Sequence, residues 1–328
     1  MNFQEMAAAV RNWGRWGADD ELGTLNLITP ERVLAAHATP RTGAVHSLSL
    51  GFGSGGVWSD GGTRTDPIHV MDLDGGDAAT YDHLMAMRAQ GHEVVSPYPP
   101  RWDGTPTRWN DDSLFVPLQA STQWDALAHV YAEGSYYNDV PVAAVGSQGA
   151  SRLGIEHAAM TGLTARGVLV DVPRFRGVPH LKPLEEIEPA DLDEVLAAQG
   201  TTVAPGDVLL VRTGWLDVLP ASGSKAEWRT TCPGVSWRCA EWLRDHEIAA
   251  VAVDNLAAER AGAAAEGYAL PLHVLCLREM GLMLGELWQL SELAEGCAAD
   301  GSWEFLLVAP PLRVTGAVGA PLNPVAIR

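Results

Sequence analysis

The chain has 328 residues, 47% of them apolar, and its 22 basic and 41 acidic side chains leave a net charge of −19. This is ordinary globular composition with no basic cluster, so nucleic acid and anionic membrane surfaces are not expected partners. The start, Met1 to Arg11, lacks a basic region followed by an apolar one, and no apolar run reaches transmembrane length, so the expected location is the cytoplasm.

In chain order, the aromatic and charged opening Asn12 to Asp20 precedes a helix expected over 29–38. Thr29 suits its N-cap, Pro30 its first position, and Glu31 puts negative charge in the first turn. Residues 51–64, rich in Gly, Ser and Asp, predict a loop. Residues 96–112, with Pro97, Pro99, Pro100 and Pro106, predict a long ordered or lid-like loop. Trp102 and Trp109 on that loop are candidates for walling an aromatic or cyclic substrate. Further strands are expected over 114–118, 167–172, 207–214 and 249–254, with helices over 155–160, 188–200 and 236–245. Apolar strands alternating with helices predict an α/β protein. Asp171, Arg212 and Asp254 fall at strand ends, where sites gather in such folds, although Asp171 and Asp254 also suit plain turn formation. Cys232, Cys239, Cys276 and Cys297 include no Cys-x-x-Cys pair and read as reduced structural thiols.

Chemistry concentrates in two segments. Gln119, Gln123, Asp125 and His129 lie four, two and four residues apart in an otherwise small and apolar run. Such groups are costly to bury unless they bond to each other, a metal or a ligand. Gln123 and Asp125 share a face of an extended chain, and a following helical turn would align Asp125 with His129. The expectation is a strand running into a helix. In 270–287, Pro271 opens a helical stretch over 273–280, Gly281 stops it, and Leu282 to Leu287 form a strand with Glu286 as its lone carboxylate. A buried carboxylate needs a base or a metal, or an arginine such as Arg278 or Arg212.

These segments resemble the metal-dependent cyclase superfamily, which includes bacterial kynurenine formamidase, isatin hydrolase and trans-dienelactone hydrolase. Its hallmark is His-x-Gly-Thr-His-x-Asp-x-Pro-x-His, followed much later by a His and a Glu. Residues 119–129 align with it without a gap, and His273 with Glu286 matches the distal pair. Gly167 to Asp171, Val208 to Trp215 and Val251 to Asp254 are similar to successive strands of that family, and Asn12 to Asn26 to the opening of its longer bacterial subgroup. The resemblance covers about 110–325 and implies a single-domain α/β fold, a mixed, barrel-like β core flanked by helices. Residues 1–110 would then be an N-terminal extension packed on a catalytic core of 111–328.

Two ligand histidines of the family are Gln119 and Gln123 here, its glycine is Ser121 and its proline Leu127. The implied ligand set is Gln119, Gln123, Asp125, His273 and Glu286 for one divalent ion, Mn²⁺ or Zn²⁺, with Mg²⁺ also compatible. So oxygen-rich a set favours Mn²⁺ or Mg²⁺. The resemblance implies that His129 is the general base and then acid, that Glu286 assists, and that Thr122 orients a ligand or water. The expected activity is hydrolysis of a small cyclic or aryl amide, lactone or formamide. Two rivals remain at this level. One is a metal-free cyclase or lyase that uses His129 for proton transfer, and the other a non-catalytic ligand-binding homologue. A homodimer or homotetramer is implied by the resemblance.

Overall fold

The computed structural model describes residues 1–98, 102 and 105–328, so Pro99 and Pro100 of the proline-rich loop lie outside the described residues. The long apolar runs become the centre of a mixed nine-stranded sheet, curled into a half-barrel and flanked by helices. Thr164–Asp171, Val208–Arg212, Ala250–Val253 and Met283–Glu286 run parallel side by side. The last three are buried along their whole length, as strands covered on both faces require. Antiparallel strands complete both edges. Gln123–Asp125 and then Gly319–Pro321 extend the Met283–Glu286 side. On the other side come Glu304–Val308, Val325–Ile327 and Val45–Ser47.

Local signals explain most element ends. Thr29 caps Pro30–Ala36, its hydroxyl accepting from Arg32 N–H. Pro189 opens the helix Pro189–Gln199, and Gly200 closes it at φ +65°, a conformation that glycine adopts without a side-chain clash. The 273–280 stretch is one helical turn, Pro271–His273, followed by wider π-helical turns over Val274–Met280. Gly281 ends it at φ +68°.

Two expectations are corrected. The strand expected over 114–118 is instead Asp111–Phe115, outside the main sheet. Among the described residues it pairs only with Ile68–Leu73, in an exposed ribbon that leaves Ile68, Val70, Leu114 and Phe115 open to solvent. The strand Gln123–Asp125 does not run into a helix. Its next amides bond across the fold, Ala126 N–H to Val318 O at 3.1 Å and Ala128 N–H to Leu153 O at 3.2 Å. With those donors committed elsewhere, only a tight turn closes, His129 N–H to Ala126 O at 2.9 Å.

The N-terminal residues are built into the core. Helix Phe3–Val10 buries Phe3, Met6 and Val10 in the main apolar cluster, and Val45–Ser47 supplies an edge strand. A smaller cluster of Val57, Trp58, Trp215, Trp228 and Leu287 lies beneath the glycine-rich loop. All four cysteines are buried free thiols. Among the described residues, no helix is long and apolar enough to cross a membrane.

Candidate metal centre

Strand register builds the site. Glu286 stands directly opposite Gln123 in the antiparallel pair, and alternation along the strand turns Asp125 to the same face as Gln123. Trp124 points the other way, into the core, where its indole N–H donates to Ala309 O at 2.9 Å and its ring meets Trp288 edge to face. On the site face, Gln123 Nε2 donates to Glu286 Oε2 at 2.7 Å. His273, at the end of its single helical turn, places Nε2 at 3.2 Å from Glu286 Oε1 and 3.9 Å from Asp125 Oδ2. One donor atom from each of Asp125, His273 and Glu286 lies within 4.8 Å of the other two. His129 Nε2 is 3.8 Å from Asp125 Oδ1, an ion-pair separation too long for a hydrogen bond. The tight turn thus brings His129 to Asp125 as the expected helix would have done.

Asp125, His273 and Glu286 are buried, while the His129 side chain keeps 21% of its surface exposed and forms the open side. Several buried polar atoms here find no donor or acceptor among the described residues: both oxygens of Asp125, Gln123 Oε1 and Gln119 Nε2. A carboxylate enclosed without donors is costly and calls for a proton or a cation. Burial, reinforced by Glu286, accordingly pushes Asp125 up to about 6 against the pull of His129, His273 and Arg64. Burial also lowers His129, helped by the charges of His273 and Arg64 and opposed by Asp125. For His273 burial acts downward too, but its hydrogen bonds to Glu259 and Glu286 prevail and raise it to about 10.

The remaining expected residues divide. Gln119, on the turn before the strand, lies beside the cluster. A Cβ at Gly319 would meet Gln119 Nε2 at 2.6 Å, Trp124 O at 2.9 Å and Asp125 Oδ1 at 3.4 Å, so the Gln119 amide and the Asp125 carboxylate both border this glycine. Thr122 is buried with its hydroxyl engaged by backbone, donating to Leu287 O at 2.6 Å and accepting from Leu50 N–H at 2.9 Å. That hydroxyl tethers two loops to the strand, and its one hydrogen is not free to orient a ligand. Trp102 is fully buried. It stacks on Tyr98 and meets Tyr81 and Trp109 edge to face, so these rings pack on helix Gly75–Ala89 and not on the carboxylate cluster. Asp171 and Asp254 prove structural. Asp171 pairs with Arg212 and Arg174, and Asp254 accepts from Thr213 and Gly214. Among the described residues Glu286 pairs with no arginine: Arg212 is taken by Asp171 and Asp217, and Arg278 by Ser135 and Glu279.

Two participants escaped sequence reasoning. Glu259, buried, accepts from His273 Nδ1 at 2.7 Å and from the N–H groups of Leu272 and His273 at 3.1 Å. It fixes the ring so that Nε2 faces the site, the usual arrangement behind a ligand histidine. In sequence it is one Glu followed by Arg in an Ala- and Gly-rich stretch, indistinguishable from an exposed turn. Arg64, in the glycine-rich loop, donates to Gln119 O at 2.7 Å.

The Cyclase family model matches residues 57–260. A crystal structure described as a novel cyclase is 39% identical over 97% of this chain and 100% of that one, with a TM-score of 0.85. Isatin hydrolase A from Labrenzia aggregata, bound to benzyl benzoate, is 14% identical over 90% of this chain and 97% of that one, with a TM-score of 0.60. A structure described as a potential metal-dependent hydrolase with cyclase activity is 16% identical over 86% and 98%, with a TM-score of 0.50. At such identities the last two show likeness of fold. No curated protein matches the sequence.

Proposed function

Because this chain belongs to the cyclase family, we propose that it is a metal-dependent hydrolase of a small cyclic or aryl amide, lactone or formamide. The observation that carries the reading is the buried Asp125 carboxylate, which stands next to His273, Glu286 and Gln123 Oε1 and whose two oxygens find no hydrogen-bond donor among the described residues. One nitrogen and several oxygens suit a single Mn²⁺, with Mg²⁺ or Zn²⁺ as alternatives. Asp125, His273 and Glu286 would hold the ion, with the Gln123 carbonyl and Gln119 as further oxygen donors. When bound, the ion supplies the positive charge that acidifies water and polarises a carbonyl.

The chain's own groups do the rest. His129 Nε2, on the open side, takes a proton from water as its oxygen bonds to the substrate carbonyl carbon. It then returns that proton to the departing nitrogen or oxygen as the C–N or C–O bond breaks. Glu259 holds His273 by Nδ1, and Asp125 keeps a negative charge beside His129 that favours the transient imidazolium.

Isatin hydrolase A, whose fold this chain shares, is named for action on a cyclic aryl amide, and the reading draws on that likeness of fold. The test is elemental analysis of protein purified without chelators. Wild type is expected to carry or take up about one equivalent of Mn²⁺ or Zn²⁺ per chain, and Asp125→Asn to lose it. No uptake by wild type would remove the water-activation mechanism. It would favour proton-transfer chemistry at His129, the reading in which Gln123 and His273 alone satisfy Glu286.

A further inference from the structure

The glycine-rich loop 51–57 walls a cavity of about 380 Å³, within the size range of small-molecule sites. Ala120 and Ser121, just before the Gln123–Asp125 strand, form part of another wall, and none of the proposed metal ligands borders the space. Most of the lining is apolar, from Leu50, Phe52, Val57 and Leu219, and the glycines of the loop add bare backbone.

This wall is held in place from outside. Lys225 Nζ donates to the carbonyls of Gly55 and Gly56, both at 2.6 Å, and Arg229 donates to the carbonyl of Val57 at 2.6 Å. The helix Lys225–Thr230 thus fixes the loop that encloses the cavity.

One lining group stands out chemically. Among the described residues Asp66 is the one charged side chain on the wall, and it is only 9% exposed. Its Oδ1 accepts from Trp58 N–H at 2.7 Å, a bond that ties the loop back on itself. Its Oδ2 finds no donor among the described residues. The cations of the loop region are engaged elsewhere, Arg229 with Asp60, Lys225 with carbonyls and Ser59, and Arg64 with Gln119 O. A Cβ at Gly56 would meet Asp66 Oδ1 at 2.8 Å and Oδ2 at 3.5 Å, so the carboxylate abuts the bare glycine backbone of the cavity wall. A buried carboxylate oxygen without a donor is costly. An apolar cavity with one such acceptor suits an apolar body fixed by a single hydrogen bond.

We propose that this cavity is a further binding site, which takes a small, mainly apolar molecule bearing an N–H or O–H group, the donor bonding to Asp66 Oδ2. The proposal is independent of the hydrolase reading, since it uses no metal, no residue of the Asp125 cluster and no catalytic step.

The test uses two pairs of probes matched in size, indole with benzofuran and 4-methylphenol with 4-fluorotoluene, each titrated into the protein and followed by ligand-observed NMR. Wild type is expected to bind each donor at least about tenfold more tightly than its partner, the usual weight of a hydrogen bond to a charged group. Asp66→Asn keeps an oxygen for Trp58 N–H but turns amide N–H groups toward the second position, so the preference should vanish or reverse. Leu219→Trp, on the turn Leu216–Ala221, fills the cavity from a different wall and should abolish binding of all four probes at an unchanged urea midpoint. That variant keeps the test decisive if Asp66→Asn does not fold. Equal binding within each pair, no binding of either donor, a preference that survives Asp66→Asn, or binding that survives Leu219→Trp would each overturn the assignment. No readout involves metal or turnover, so failure of the hydrolase reading would leave this result standing, and the reverse.

Discussion

Asp125 and His129 show how one burial environment acts in opposite senses on an acid and a base. Enclosure raises the carboxyl and lowers the imidazole, so each is driven toward its neutral form, and the two charges meet only across 3.8 Å. For His129 the consequence is a base already unprotonated at neutral pH. The acid limb of the kcat/KM profile of the active protein is therefore expected below the ordinary imidazole value of 6.5, since activity is lost only as pH falls through the lowered value. A limb at or above 6.5 would count against His129 as the base. His129→Gln is expected to cost about 10²- to 10⁴-fold in kcat while metal content stays at the wild-type level. Thr122 has a different part. Thr122→Val removes the bonds to Leu287 O and Leu50 N–H and strands buried backbone groups, which is expected to cost about 1–3 kcal/mol in urea unfolding. A neutral result would mean that the two loops do not depend on that tether.

At the level of elements, the helical turn Pro271–His273 is held from below. Its first amides lack intrahelical acceptors, and Glu259 takes the N–H groups of Leu272 and His273 with the same carboxylate that holds the His273 ring. Helix start and ligand orientation are thus one structure. Glu259→Gln keeps a side chain of the same shape but removes the charge, and is expected to weaken Mn²⁺ binding about 10- to 100-fold by calorimetry with little change in fold. Affinity equal to wild type would make Glu259 a cap only. The strand pair Gln123–Asp125 and Met283–Glu286 is the other positioning device. Gly285 leaves room for two indoles, since a Cβ there would meet the Trp124 ring and the Trp288 indole nitrogen, both at 2.8 Å. A side chain at 285 would therefore press directly on the register that sets Glu286 opposite Gln123.

Over the whole molecule, the ribbon of Ile68–Leu73 and Asp111–Phe115 stands apart from the nine-stranded sheet with apolar side chains exposed. Such surface is the kind that association covers, and self-association as a homodimer or homotetramer is proposed on that ground. Light scattering on the purified protein should return two or four chain masses, and Phe115→Asp should lower that value; a wild-type monomer would remove the proposal. The α/β class was legible in the sequence, because short apolar runs such as 208–211 and 250–253 alternate with helical patterns, as strands covered on both faces require. The resemblance to the cyclase family singled out Asp125, His129, His273 and Glu286 as candidates, and their apolar surroundings made partners for them an expectation. Only the tertiary structure decided who those partners are. Whether Glu286 met an arginine, Gln123 or His273 depended on strand register, and Glu259 and Arg64 reach the site from loops whose composition reads as solvent-facing. The turn after Asp125 and the exposed ribbon went the same way. Their backbone donors were claimed by segments far along the chain, and local periodicity carries no record of such distant pairings.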